Sequence, residues 1–343
     1  MSSTQGVALI GAGMVAGTYA DALSNLPELR VTGVLANRAG SAEAFLQKHG
    51  LPGRAYADQE EVTADPEVDF AILLTPPDAR VEIVRTLAAA GKPILMEKPV
   101  ERSLKAATEI VEICESAGVP LGIALQHRAR PTTKTMHDLI DGGDFGALRL
   151  AEINVPWWRP QSYYDAPGRG TYARDGGGVM ITQAIHAIDL ALQFTGPVSA
   201  VTALCTTTGL HRMEAEDTVV AGLELANGAT ASLFATTAAY PGREDEIILH
   251  FDHATMRLAQ AQLSVAHHDG RSETIGSAGG SGSGADPMAF TSDWHRSVIA
   301  DFAEALRDGR PPMITGRSAL PVHALIEAIE QAGRSGRRQS LQT

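Results

Sequence analysis

The first 125 residues alternate between short apolar runs and segments of helical periodicity, and few architectures accept that alternation. The runs lie at 7–10, 31–36, 70–74, 93–96 and 119–124. Between them, Val81, Val84, Leu87 and Ala88 repeat at helical spacing up to Gly91. Leu104, Ala107, Ile110 and Val111 do the same from Ser103, a natural N-cap, up to Gly118. Strand and helix in strict alternation imply βαβ units and a parallel sheet.

After about residue 145 the texture changes. Apolar, β-branched runs at 149–155, 199–206, 217–225, 229–236, 246–251, 255–259 and 263–267 follow one another across short turns. Asn227-Gly228 is a strong hairpin signal. This half reads as a largely antiparallel sheet with a few helices. The Gly/Ser-rich stretch 276–284 reads as a mobile surface loop. A helix carrying Trp294, Val298, Phe302 and Leu306 follows it. A last helix carries Val322, Leu325, Ile326 and Ile329 and is expected to stop at Gly333, leaving 334–343 disordered.

Composition narrows the partners. The chain has 343 residues, 28 basic against 40 acidic, for a net charge of −12. That balance argues against nucleic acid and anionic membrane surfaces. Two cysteines form neither a disulfide framework nor a zinc site, and no apolar run reaches the roughly 18 residues of a membrane span. No metal is expected. The stretch 7–20 lacks the basic start of a signal peptide, so a cytoplasmic protein is expected.

The segment Gly11-Ala12-Gly13-Met14-Val15-Ala16 follows one strand and opens a helix, as a dinucleotide fingerprint requires. Gly11 permits the tight turn, Gly13 lets the backbone approach a pyrophosphate, and Ala16 packs the helix close to the strand. Helix N–H groups, with Met14 and Val15 at the turn, face the phosphates. Where the next strand ends, NAD enzymes place an acid; here stand Asn37 and Arg38. Asn37 removes the repulsion of a 2′-phosphate and Arg38 can pair with it, so NADP(H) is favoured and NAD(H) is the alternative. Thr75 and Pro76 end another strand on the ligand side of the sheet, and Gln126 stands just past the last strand, with His127 and Arg128 after it.

Two constellations carry chemistry. One strand ends in Glu97-Lys98-Pro99, where Glu97 and Lys98 are expected to touch the cofactor. A lysine there can hydrogen-bond a substrate hydroxyl and stabilise its alkoxide. Farther on, Gly176-Gly177-Gly178 opens a helix on which Thr182, His186, Asp189 and Gln193 form a polar stripe free of Lys and Glu. The stripe reads as a pocket wall, with His186 suited to proton exchange and Asp189 placed to orient it or to cap a neighbouring element. The glycines permit close approach by a ligand or by the first domain.

Glycine loop, Thr75-Pro76-Pro77, Glu97-Lys98-Pro99, and the triple glycine with His186-Ala187-Ile188-Asp189 occur in an order and spacing that resemble the Gfo/Idh/MocA oxidoreductases over essentially the whole chain. The resemblance implies an α/β protein: an N-terminal Rossmann domain over 1–125, then a C-terminal α/β domain over 126–343 with a large, mostly antiparallel open sheet. The last helix, at about 318–333, is expected to pack back on the first domain. It implies hydride transfer between nicotinamide and a carbinol carbon of a carbohydrate, polyol or inositol. Lys98 takes the position of the catalytic lysine and His186 that of its acid/base partner. It also implies a homodimer or homotetramer. Thr182 replaces the Asp or Asn that such proteins often carry four residues before the histidine, and Arg80 stands where a histidine is frequent.

The segment 157–174 holds two of three tryptophans and three of six tyrosines, with Arg159, Arg169 and Arg174. Trp158, Arg159, Tyr163 and Arg169 are expected to line the substrate, alongside Lys98, Thr182 and His186, since aromatic faces and guanidinium forks suit sugar rings, carboxylates and phosphates. Filling of the core or of an interface is the equal alternative for the aromatics. With Arg38, Lys98 and Arg128, these arginines make a locally basic crevice on an acidic protein. Three other functions stay open: a glycoside-cleaving enzyme of the same fold, a cofactor-sensing regulator, and a dehydrogenase of small diols.

Overall fold

The computed structural model describes residues 4–259, 261–276 and 291–341. It divides into two compact units, Met1–Gln126 with Ser292–Leu320, and His127–Thr291 with Pro321–Thr343.

The first unit is a six-stranded sheet with β1 (Gln5–Ile10), α1 (Ala16–Ser24), β2 (Leu29–Leu35), α2 (Ser41–His49), β3 (Arg54–Tyr56), α3 (Gln59–Ala64), β4 (Phe70–Leu73), α4 (Arg80–Ala89), β5 (Ile94–Glu97), α5 (Leu104–Ser116) and β6 (Leu121–Ala124). All strand pairs are parallel and the order is β3-β2-β1-β4-β5-β6. This is the doubly wound Rossmann order, with its reversal point between β1 and β4. β1, β4, β5 and β6 are buried throughout, hence their uninterrupted apolar runs. β3 has three residues and no apolar run to announce it. Ser103 caps α5 through the Ala106 amide, as its position predicts. The helix Asp293–Asp308 closes the unit: Phe302 meets Phe70 edge-on, and a Cβ on Gly122 would lie 2.6 Å from the Phe302 ring.

The second unit contains α6 (Pro131–Asp141), β7 (Leu148–Pro156), a one-turn α7 (Gln161–Tyr164), α8 (Ile185–Thr195), and strands β8 (Val198–Thr206), β9 (Thr218–Leu225), β10 (Thr230–Thr236), β11 (Glu246–Phe251), β12 (Ala254–Ala259), β13 (Gln262–His267) and β14 (Ser272–Gly276). After α9, the Asp293–Asp308 helix of the first unit, come α10 (Leu320–Ser335) and β15 (Gln339–Ser340). The nine strands run β14-β13-β12-β11-β7-β10-β9-β8-β15. Every pair is antiparallel except β7 with β10. β9 alternates buried and exposed residues, so one sheet face carries the core. On the other, Leu204, Val220 and Phe234 stand side by side across β8, β9 and β10, with Leu204 63% and Val220 51% exposed.

Three expectations change. The described part of the tail is ordered: Gln339 and Ser340 pair with Val201 and Ala200 of β8. The last helix runs past Gly333 to Ser335. Gly333 serves contact, because a Cβ there would lie 2.6 Å from Cys205 Sγ. The segment that returns to the first unit is 292–320, whereas the chain from Pro321 belongs to the second. Of the Gly/Ser-rich stretch, 277–284 lie outside the described residues, and Gly276 ends β14.

Candidate active site

In the first unit the expected cofactor residues gather at the carboxyl edge of the sheet. Gly11 (φ 113°) turns the chain out of β1, and its amide donates to Leu35 O at the end of β2. Gly13 and Met14 are exposed at the start of α1, with open space beside Gly13. Val15 is the N-cap residue of α1. Asn37 and Arg38 are exposed just past β2, and Arg38 has no ion pair among the described residues. Thr75 and Gln126 follow β4 and β6, and Pro76 stands exposed beside Thr75. Thr75 Oγ1 and Gln126 Oε1 are buried without a hydrogen-bond partner among the described residues. Buried polar atoms are normally paired, so these two suit a polar ligand along this edge. The residues present therefore fit a dinucleotide.

Arg80 organises the same edge. It is buried on the first turn of α4, and all its hydrogen-bond acceptors are backbone carbonyls. Nε and Nη2 donate to Thr75 O at 3.0 and 2.7 Å, while Nη1 reaches the carbonyls of Glu97, Pro99 and Val100. One guanidinium thus clamps the Thr75 loop to the loop that carries half-buried Lys98. Burial lowers the Arg80 pKa to about 10, partly offset by the charges of Glu97, Tyr19, Glu101 and Asp78, so it stays protonated at neutral pH. Glu97 is itself buried. Burial pushes its carboxyl up, but the neighbouring His295 and the charges of Lys98 and Arg80 outweigh that and hold it below its ordinary value. Tyr19 Oη donates to Glu97 Oε1 at 3.3 Å, and His295 Nε2 lies 3.8 Å from the same oxygen. Glu97 thus belongs to an internal charge cluster.

In the second unit the helix of His186 begins as a π turn over Met180–Ala184. The extra residue per turn breaks the regular stripe expected from Thr182 to Gln193. The helix is buried nearly all round: His186 and Asp189 are buried, Thr182 half-buried and Gln193 exposed. Of the two roles expected of Asp189, the contact with a neighbouring segment is the one seen. Asp189 holds Arg128, whose Nε donates to Oδ2 at 2.7 Å and whose Nη2 donates to Oδ1. Burial pushes its carboxyl up, and Arg128 offsets only part of that. The neighbour of His186 is His127, stacked on it with ring centroids 4.7 Å apart.

The triple glycine admits another part of the same unit. A Cβ on Gly178 would lie 1.8 Å from Glu216 O. Glu216 then caps the turn: its carboxylate accepts the Gly178 and Met180 amides at 3.1 and 3.2 Å. Glu330 approaches from α10. Burial, and then the charge of Glu216, raise its carboxyl to about 7, against the opposing pull of Arg334.

The aromatic segment also assembles within the second unit. Trp157 is buried, and Arg159 lies over its ring. His211 holds the Arg159 carbonyl at 2.8 Å through Nε2 and Asp217 at 2.7 Å through Nδ1. Trp158 is half-buried, edge-on to Tyr240. Tyr163, Arg169 and Gln183 form one hydrogen-bonded group, and the single Thr182 hydroxyl lies against both Gln183 Oε1 and Gly178 O. Tyr163, Arg169, Arg159 and Thr182 are thereby linked, whereas Trp158 stands with His211 and Tyr240. Sequence reasoning missed the clamp by Arg80, the pairing of Arg128, the stacking by His127, and Glu216. A signal existed for Arg80, which lies on the helix face of Ile83, Val84 and Leu87; Val81, read there instead, is only half-buried.

Residues 5–125 match the model of the oxidoreductase family with NAD-binding Rossmann fold, and 133–257 match that of the GFO/IDH/MocA C-terminal domain. The chain belongs to the GFO/IDH/MocA family and is an oxidoreductase. It is 26% identical to D-apiose dehydrogenase of Paraburkholderia graminis, over 98% of this chain and 89% of that one. It is 24% identical to inositol 2-dehydrogenase of Rhizobium meliloti, over 97% and 98%. The WlbA dehydrogenase of Bordetella pertussis, solved with NADH and UDP-GlcNAcA, superposes with a TM-score of 0.83 at 27% identity, covering 98% of both chains. No helix among the described residues is long and apolar enough to cross a membrane.

Two outcomes follow from this geometry. Arg80→Met leaves the carbonyls of Thr75, Glu97 and Pro99 without their donor and should cost about 3 kcal/mol of stability, measured by urea unfolding. It should also lower kcat/KM, which a loss of global stability alone does not do below Tm. The second concerns Glu330, whose folded pKa exceeds its ordinary value. Its stabilising protonation is complete below pH 4.5 and is lost as pH rises through about 7. Thermal unfolding of Glu330→Gln should gain on the wild type at pH 8 but not at pH 4. Equal differences at both pH values would contradict the shift.

Proposed function

We propose that the protein transfers a hydride between nicotinamide and a carbinol carbon of a sugar, polyol or inositol-type substrate, with NADP(H) preferred. The first unit binds the cofactor and the second the substrate. The observation that carries this reading is the support given to Lys98. It follows a buried parallel strand that ends in ionised Glu97, on a loop clamped by Arg80 to that of Thr75. A lysine serving only solubility needs no such support.

Lys98 hydrogen-bonds the reacting hydroxyl and stabilises the developing alkoxide, and His186 exchanges its proton. Bound cofactor supplies or accepts the hydride. The turn at Gly11 and Gly13, with Met14 and Val15 at the start of α1, receives the pyrophosphate. Thr75, Pro76, Lys98 and Gln126 line the nicotinamide side; Glu97, expected there too, is taken up by the internal charge cluster. Arg38, exposed and without an ion pair among the described residues, is available to a 2′-phosphate, and Asn37 does not oppose it. The names of the apiose and inositol dehydrogenases support a polyhydroxylated substrate, and that of WlbA supports a nicotinamide cofactor. The apolar row Leu204–Val220–Phe234 supports a homo-oligomer built on the open sheet face.

The deciding experiment is a panel of sugars, polyols, inositols and sugar acids followed at the nicotinamide absorbance band with both cofactors. kcat/KM should be higher with NADP(H), and Lys98→Met should lower kcat about 100-fold or more while cofactor affinity survives. Unchanged kcat removes Lys98 from the reaction, and a preference for NAD(H) removes the role of Arg38. For the assembly, sedimentation should give a dimer or tetramer for the wild type and a smaller species for Val220→Asp.

A further inference from the structure

The loop after β7 carries hydrogen-bond donors in excess of acceptors. Arg169 Nη1 donates to Tyr163 Oη at 3.0 Å, and the guanidinium carbon lies 4.7 Å from the centre of that ring. Gln183 Nε2 donates to the same oxygen at 3.5 Å. The phenol oxygen therefore receives two bonds, and its own O–H meets no acceptor among the described residues. Gln183 Oε1 faces the Thr182 hydroxyl. A second guanidinium, that of Arg159, stands 5.8 Å from the Tyr163 ring centre and 5.2 Å from that of Trp157.

Charge is equally one-sided. Arg128 has Asp189 and Arg174 has Asp175, whereas half-buried Arg169 has no carboxylate within 4.0 Å among the described residues. Its hydrogen bond and its seat on Tyr163 fix the orientation of the fork. Four of its five N–H groups and the Tyr163 O–H remain to be met. An acceptor-only group with several oxygens completes such a set: a carboxylate or a phosphate. A neutral hydroxyl offers fewer lone pairs and no charge.

The structure assigns to Arg169 and Tyr163 a binding site for an anionic group of the substrate, so the preferred substrate is an acidic sugar or polyol, a sugar acid or a sugar phosphate. The assignment rests on the oxidoreductase reading above. Gln183, three residues before His186 on the same helical stretch, links this site to the residue proposed to exchange the proton.

The test uses the full chain with NADP⁺ and matched sets of hexose, hexuronate and hexose 6-phosphate, by titration calorimetry, with turnover recorded in parallel. At least one acid should bind about 10- to 100-fold more tightly than its neutral parent. The uronate and phosphate arms tell which anion is taken. Arg169→Gln and Tyr163→Phe should bring the ratio towards one, and Arg169→Lys should restore part of it. A merely structural role for Arg169 would weaken acid and neutral binding alike and leave the ratio in place. Wild-type binding without preference for any acid overturns the assignment, as does a ratio that survives Arg169→Gln. Turnover of neutral sugars without acid preference leaves the redox reading standing and removes the anion site. Acid binding lost in Arg169→Gln without turnover of any substrate does the reverse.

Discussion

The buried guanidinium of Arg80 is the interaction on which the first unit's chemistry depends. A charge taken out of water is costly unless its donors are met, and here they are met by carbonyls of two separate loops. Those carbonyls lie just past β4 and at or just past the end of β5, where the sheet would otherwise release the chain into two independent turns. Because one planar group serves both loops, moving either leaves part of the charge unpaired. The balancing negative charge, Glu97, sits on the strand that ends at Lys98 and is held in turn by Tyr19 and His295. Charge, strand end and loop geometry are therefore fixed together.

The second unit solves a related problem with carboxylates. A helix buried on most sides, as α8 is, has nowhere to send polar groups except into pairs. Asp189 is matched by the fork of Arg128, and Glu216 by two main-chain amides at the π turn. One turn before the Asp189 carboxylate, His186 stacks on His127. The last of the three glycines, Gly178, is where Glu216 of the same unit presses closest, and the helix start is held from that side.

Much of this architecture was legible because burial writes itself into sequence. β1, β4, β5 and β6 are covered on both faces and read as apolar runs; β9 is covered on one and alternates. Where structure is set by a single long-range contact, the sequence was silent. β3 and β15 are two or three residues held by a neighbouring strand. Gly333 looked like a helix stop because glycine usually is one, yet its role is contact with Cys205 across 128 positions of chain (333 − 205). The π turn has no composition of its own. For the candidate site, the residue types that carry chemistry were visible in their motifs, while Arg80 and Glu216, which hold those motifs, act through partners that only folding brings near.

The arginines show why a count of charge decides less than its pairing. Read along the chain, Arg38, Arg128, Arg159, Arg169 and Arg174 form one basic group on an acidic protein. In the fold they separate by function. Arg128 is spent on Asp189, and Arg174 faces Asp175. A paired guanidinium has given its fork and most of its field to its partner, so it steers nothing. Arg38 stands exposed at a strand end, and Arg169 is pinned on an aromatic ring with most of its donors unspent. These two, each in its own unit, meet no carboxylate among the described residues. Against a net charge of −12, which repels anions at long range, recognition of an anionic ligand must rest on such fixed short-range forks, and selectivity with it.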